Sequence, residues 1–261
     1  MILLMHEWKQ NRVTLLVWSA ALASMLGICV LIYPQMSTQM SELSDMFANM
    51  GAFTDAFGMD QLNFGEFMGY FGVECGNTLG LGGALFAAIL GISALCKEEK
   101  EHTADFLLSH PIPRSGVIAA KLIAVLTQII VLNLVVLAVS SAAIAAIGET
   151  PAWGKLMLLF LAYTLMQIEI ACVTFGISAC IKKGGLGIGL GVAFLFYTLG
   201  IVSNLTDSIT WLKYLTPFGF ADGASVIGDG AIDPKYLLSG ILISCLGVLT
   251  AFRVYTKKDI H

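Results

Sequence analysis

The chain has 261 residues, of which 57% are hydrophobic and only 12% charged, with a formal net charge of −4. Soluble domains carry about 25% charged residues to cover their surface. This composition therefore excludes an ordinary soluble globule and indicates a polytopic membrane protein folded as a single all-α domain over residues 1–261.

The first residues, with His6, Glu7, Lys9 and Arg12, form a basic amphipathic lead-in to an apolar run. That run is long enough to span a bilayer and has no small-residue cleavage site behind it, so it reads as span 13–34 rather than as a cleavable signal. Residues 35–71 carry acids but no Lys or Arg. Met36, Met40, Leu43, Met46, Phe47 and Met50 recur there at helical spacing. The spacing predicts an amphipathic helix. It either packs on the spans and the outer interface or offers a Met-rich surface to a substrate.

Further spans are expected at 72–95, 116–147, 153–181, 185–204 and 235–255. The third and fourth spans exceed one bilayer thickness and must tilt or extend beyond it. Glu74 sits at the outer start of the second and reads as facing interfacial water. The runs "GNTLGLGG" and "KKGGLGIGLG" lack the Lys-Ser/Thr ending and preceding strand of a phosphate loop. Their glycines instead predict close helix packing. Residues 204–234 are apolar in the middle but too short to span, and Pro217 and Gly219 interrupt them. They predict a re-entrant or interfacial outer segment with Trp211, Tyr214 and Phe218 in the interfacial belt. The six cysteines (Cys29, Cys75, Cys96, Cys172, Cys180 and Cys245) form no CxxC pair and read as small packing hydrophobes.

Orientation follows from Lys and Arg in the flanks. Eleven of the fourteen fall on one side of the six spans, and only Lys155, Lys213 and Lys235 on the other. The positive-inside bias thus places both termini in the cytoplasm of a multi-pass cell-membrane protein.

Two features stand out as candidate sites. Glu169 is the one carboxylate well inside an expected span, where an ionisable group costs roughly 2.5 kcal/mol or more. It pairs with a donor such as Gln128 or Asn133 or sits protonated, or it serves substrate passage or proton-linked gating. Tyr163 and Cys172 are expected near its face, and Gln167 on another. The second feature is the charged insert "CKEEKEHTADFLLSHPIPRSG" at 96–116. Its acids load the first turns of a predicted helix, the apolar patch Phe106, Leu107 and Leu108 follows, and Pro111 and Pro113 end it. The residues alone fit an interfacial helix on lipid as well as a docking element for a cytosolic partner. No clustered catalytic residues occur, and the "HEW" at His6 lacks the second His of a zinc-protease motif.

The stretch "KEEKEHTADFLLSHPIPRSGVIAAKL" resembles the signature of type-2 ABC exporter permeases. In that family an acidic stretch, a Thr, an apolar triplet, a Pro-containing turn and Arg-Ser lead into the third span and its Lys. Here these are Glu98 to Glu101, Thr103, Phe106 to Leu108, Pro111 and Pro113, Arg114 and Ser115, and Lys121. The lead-in His6 to Arg12, the segment "WLKYLTPFGFAD" and the C-terminal "YTKKDI" match in order, whereas His102 stands where small residues are common. The resemblance implies a cytoplasmic coupling helix seated in a groove of a separate ATPase, with Glu98, Glu99, His102, Thr103, Phe106, Leu107 and Leu108 as coupling residues. It also implies a second permease subunit (homo- or heterodimer), two cytosolic ATPase subunits that hold ATP and magnesium, and no cofactor, enzymatic activity or nucleic-acid partner for this chain. The alternatives are an ion- or proton-coupled secondary transporter using Glu169, a membrane-embedded enzyme, and an ATP-driven signalling or release complex. The apolar spans favour an amphipathic cargo.

Overall fold

A lipid core offers no water to backbone amides and carbonyls, so an apolar chain closes its hydrogen bonds within helices. The computed structural model describes residues 2–47, 66–100, 113–181 and 185–257, and for 2, 38–47, 98–100 and 207 the backbone alone. Among these residues no strand occurs, and eight α-helices follow one another. They are α1 (Ile2–Phe47), α2 (Phe67–Cys75), α3 (Gly83–Lys100), α4 (Arg114–Ile147), α5 (Trp153–Cys180), α6 (Leu186–Asn204), α7 (Gly223–Asp229) and α8 (Pro234–Lys257). A π-helical turn, Gly76–Gly82, joins α2 to α3 so that the two cross as one span. Among the described residues six helices are long and apolar enough to cross a membrane, as many as expected: Leu3–Ser37, Phe67–Lys97, Arg114–Ile147, Trp153–Cys180, Leu186–Asn204 and Pro234–Lys257.

Helix α1 has 46 residues, about 70 Å at 1.5 Å per residue. It runs through Pro34 into the Met-rich stretch. The predicted helix there is thus continuous with the first span as far as Phe47, and 48–65 lie outside the described residues. Other ends stop at specific residues. Gly148 closes α4 in the left-handed region at φ 76°, its N–H bonded to Ala145 O, and Gly230 closes α7 at φ 64°. A Cβ would strain either position.

Helix α5 is the axis of the bundle, packed against α3, α4 and α8. Small residues allow this closeness. Gly176 and Gly247 bring the backbones of α5 and α8 together, and a side chain on Gly91 would strike Thr174 and Ala171. In the glycine runs, Gly82, Gly83, Gly185 and Gly189 each abut a neighbouring helix as expected. Gly187 and Gly191 have nothing within 4 Å and face outward. Among the described residues all six cysteines are free, four of them wholly or partly buried and Cys180 and Cys245 exposed.

The segment 204–234 folds into the mouth of the bundle farthest from the N-terminus. Two 3₁₀ stretches, Asp207–Tyr214 and Pro217–Gly219, precede α7. Phe220, Ala221, Ala224, Val226 and Ile227 are buried, while Trp211, Tyr214 and Leu215 stay exposed. One face therefore plugs the helices and the other leaves aromatic groups exposed, as an interfacial belt requires. Thr216 pins the plug, its hydroxyl donating to Phe196 O at 2.8 Å.

Candidate functional site

The ends of α3 and α8 and the starts of α1 and α4 meet at one end of the bundle, where 101–112 connects α3 to α4. Of the coupling residues implied by the family signature, His102, Thr103, Phe106, Leu107 and Leu108 lie outside the described residues. Glu98 and Glu99 have a described backbone, which is the last turn of α3. This differs from the expected start of a separate helix. The stretch Lys-Glu-Glu-Lys favours helix and contains no breaker, so the span helix continues through it.

Beside this connection the structure holds a buried ion pair. Lys121 Nζ on α4 donates to Glu7 Oε1 on α1 at 2.7 Å, with the side chains 2% and 6% exposed. Next to it Trp8 Nε1 donates to Thr127 Oγ1 at 3.2 Å. At the first residue of α4, Arg114 Nη1 lies 3.5 and 3.4 Å from the carbonyl oxygens of Tyr255 and Thr256 in the last turn of α8. Carbonyls in the last turn of a helix have no N–H donor within the helix, and a guanidinium complements the negative end of its dipole. The residues that flank 101–112 are thereby tied to both the first and last helices. Sequence reasoning assigned Glu7 to the lead-in and Lys121 to the family signature without pairing them. The available signal was a lone lysine seven residues into an apolar span, which demands an acid from another helix.

A polar knot lies deeper. Asn133 Nδ2 on α4 donates to Gln167 Oε1 on α5 at 2.6 Å and to Ile129 O at 2.9 Å. Gln167 Nε2 donates onward to Leu79 O at 3.2 Å, in the π-helical turn. A π turn disturbs the regular bonding ladder and releases a carbonyl for a side chain. Gly83 makes room for this, because a Cβ there would collide with the Gln167 amide. Three spans are joined at one depth in the bundle.

Glu169 faces elsewhere, as expected relative to Gln167. It is 2% exposed and points at α8, where a side chain on Gly240 would collide with Oε2 and with the Phe220 ring. Neither carboxyl oxygen has a hydrogen-bond partner among the described residues. The expected pairing with Gln128 or Asn133 does not occur. Asn133 is committed to Gln167, and both polar atoms of Gln128 are themselves without partners. Tyr163 is not on this face either. It lies six residues away, about 120° around a helix, and lines a cavity at the bundle mouth. Cys172, three residues on, does turn to α8, its carbonyl against Gly247. Glu74 is half-buried, with Cys29 Sγ 3.4 Å from its Oε2.

Buried polar atoms without partners cost about 1–3 kcal/mol each and mark strain or a second state in which they are satisfied. Glu169, Gln128 and Thr78 carry such atoms within the spans. No group of three or more metal-ligating side chains is found among the described residues.

A family model described as ABC-2 family transporter protein matches residues 1–260. No curated protein matches the chain.

Proposed function

The chain belongs to the ABC-2 transporter family, and from that premise we propose that it is the membrane half of an ATP-driven exporter. The membership makes it a membrane transport subunit, and it displaces the reading of a secondary transporter driven by Glu169 alone. In the proposal, two permeases pair around a substrate path and each meets a cytosolic ATPase that holds ATP and magnesium. Both termini and 101–112 face the cytoplasm, in keeping with the Lys and Arg bias of the flanks.

The observation that carries the mechanism is the bracing of the end from which 101–112 emerges. A segment that transmits force needs stiff roots. Its flanks are the end of α3 and the start of α4. Helix α4 is tied to α1 through Lys121 and Glu7, and to α8 through Arg114. A push on 101–112 then moves α1, α4 and α8 together, as a lever acting on packed helices. Movement of α8 away from α5 would uncover Glu169, whose two unpartnered oxygens face Gly240. In this reading Glu169 is dry in one state and hydrated in the other, and it biases the equilibrium toward the open one.

The test is an alanine variant at Phe106, Leu107 and Leu108 together, reconstituted with an ABC ATPase subunit that co-purifies with the parent chain. Truncating a buried interface anchor costs about 2 kcal/mol or more, and rim charges far less. The triple variant should lose ATPase association or permease-stimulated hydrolysis, and Lys97→Ala should keep both. A fully coupled complex carrying all three alanines would overturn the docking role.

A further inference from the structure

A cavity of about 90 Å³ opens at the bundle mouth between the π-helical turn, α5, α6 and the plug leading into α7. Among the described residues its wall contains one charged side chain, Asp222, and no lysine or arginine. Three aromatic rings line it: Tyr163, Tyr197 and Phe218, the last two packed edge to face with centroids 5.5 Å apart.

Tyr163 is 2% exposed, yet its hydroxyl makes no hydrogen bond among the described residues. It looks between Gly76 and Gly223, both in the cavity wall. A Cβ built on either would stand 3.1 or 3.0 Å from the hydroxyl oxygen, so the two glycines keep the space before it open. A hydroxyl that opens onto a cavity with no hydrogen-bond partner among the described residues leaves a place there for a ligand or water.

The Asp222 carboxylate is held in place rather than neutralised. Its Oδ2 accepts from Ser225 Oγ at 2.6 Å and from Ser225 N at 3.4 Å. These bonds fix its orientation, and no cationic side chain among the described residues lines the cavity across from it.

We propose that this cavity binds the quaternary ammonium head of an organic cation, with Asp222 as counter-ion and the Tyr163 hydroxyl oxygen turned toward the charged head. Tyr197 and Phe218 form the aromatic wall that attracts alkylated ammonium groups. An anion finds no donor of positive charge here, and a neutral apolar group leaves the carboxylate and hydroxyl unmatched. The volume is below the ~150 Å³ of a cavity that takes up a benzene, so the cavity admits only a small head group whose chain trails outside. Assignment of this head to the cargo rests on the permease reading.

Choline and its neutral isostere 3,3-dimethylbutan-1-ol distinguish the chemistry. The full chain in phosphatidylglycerol nanodiscs is titrated with each by calorimetry. Choline should bind saturably, and the isostere at least tenfold more weakly. Asp222→Asn retains a capping side chain and should lose at least tenfold in choline affinity. Tyr197→Leu, which leaves the α7 cap intact, should lose severalfold and decides the matter should Asp222→Asn fail to fold. Nanodiscs of phosphatidylcholine separate two sources of the same head group: blocked choline binding assigns a lipid, and unchanged binding a soluble amine. No saturable choline binding, equal affinity for the isostere, or unchanged affinity in both variants would overturn the proposal. The titration needs no ATPase, so its failure is read separately from a failure of ATPase association.

Discussion

Replacing Lys121 by methionine removes one ammonium and little else, because the apolar stem is nearly conserved. Glu7, 5% exposed, would then be left without the partner that stands 2.7 Å from its Oε1. Leaving one charge of a buried pair uncompensated costs about 3–5 kcal/mol. At about 1.4 kcal/mol per tenfold, that is roughly two to three and a half powers of ten in the folding equilibrium. Removing both charges is different. Replacing a buried pair by apolar residues of similar volume is neutral to stabilising, so Glu7→Leu with Lys121→Met should fall within about 1 kcal/mol of the parent or above it. The comparison is made by equilibrium unfolding in mixed micelles, followed by tryptophan fluorescence. Trp8, bonded to Thr127 beside the pair, reports locally. The reasoning is refuted if Lys121→Met costs under about 1 kcal/mol, or if the double variant is as damaged as the sum of the singles.

Glu169→Gln keeps the size of the side chain and breaks no hydrogen bond, since neither carboxyl oxygen has one among the described residues. It should fold with unchanged or raised stability and lower the turnover of the coupled complex; normal turnover would remove Glu169 from the gating path. A cysteine at Ser109, in a background lacking native thiols, should react with an impermeant thiol reagent only after the membrane is opened. Labelling in intact cells would reverse the orientation and place 101–112 away from any cytosolic ATPase.

The spans were legible because their signal is one-dimensional: about 20 apolar residues suffice to identify each. The plug was legible only as a choice between re-entrant and interfacial. Its placement depends on Gly200 fitting under Phe218 and on Thr216 reaching Phe196 O, contacts between residues that no local pattern links. Glu169 was visible as a buried acid, whereas its lack of partners was not, since helix rotation alone decides whether Gln128 or Asn133 comes within reach. Gln167, read as facing away, proved to be the residue that takes Asn133. The π-helical turn had glycines as its only sequence trace, and those serve equally in a regular tight helix. Helix continuation through Glu98 and Glu99 was obscured by the weight given to their charge over their helix propensity.

The central claim is that 101–112 engages an ATPase subunit. A photo-crosslinking benzoylphenylalanine placed at Phe106 in the native membrane, followed by mass spectrometry of the adduct, tests it most directly. The account predicts an adduct on a subunit bearing a GxxxxGK[ST] phosphate loop, abolished when Leu107 and Leu108 are both alanine. Adducts to lipid alone, with none to such a subunit, would contradict it.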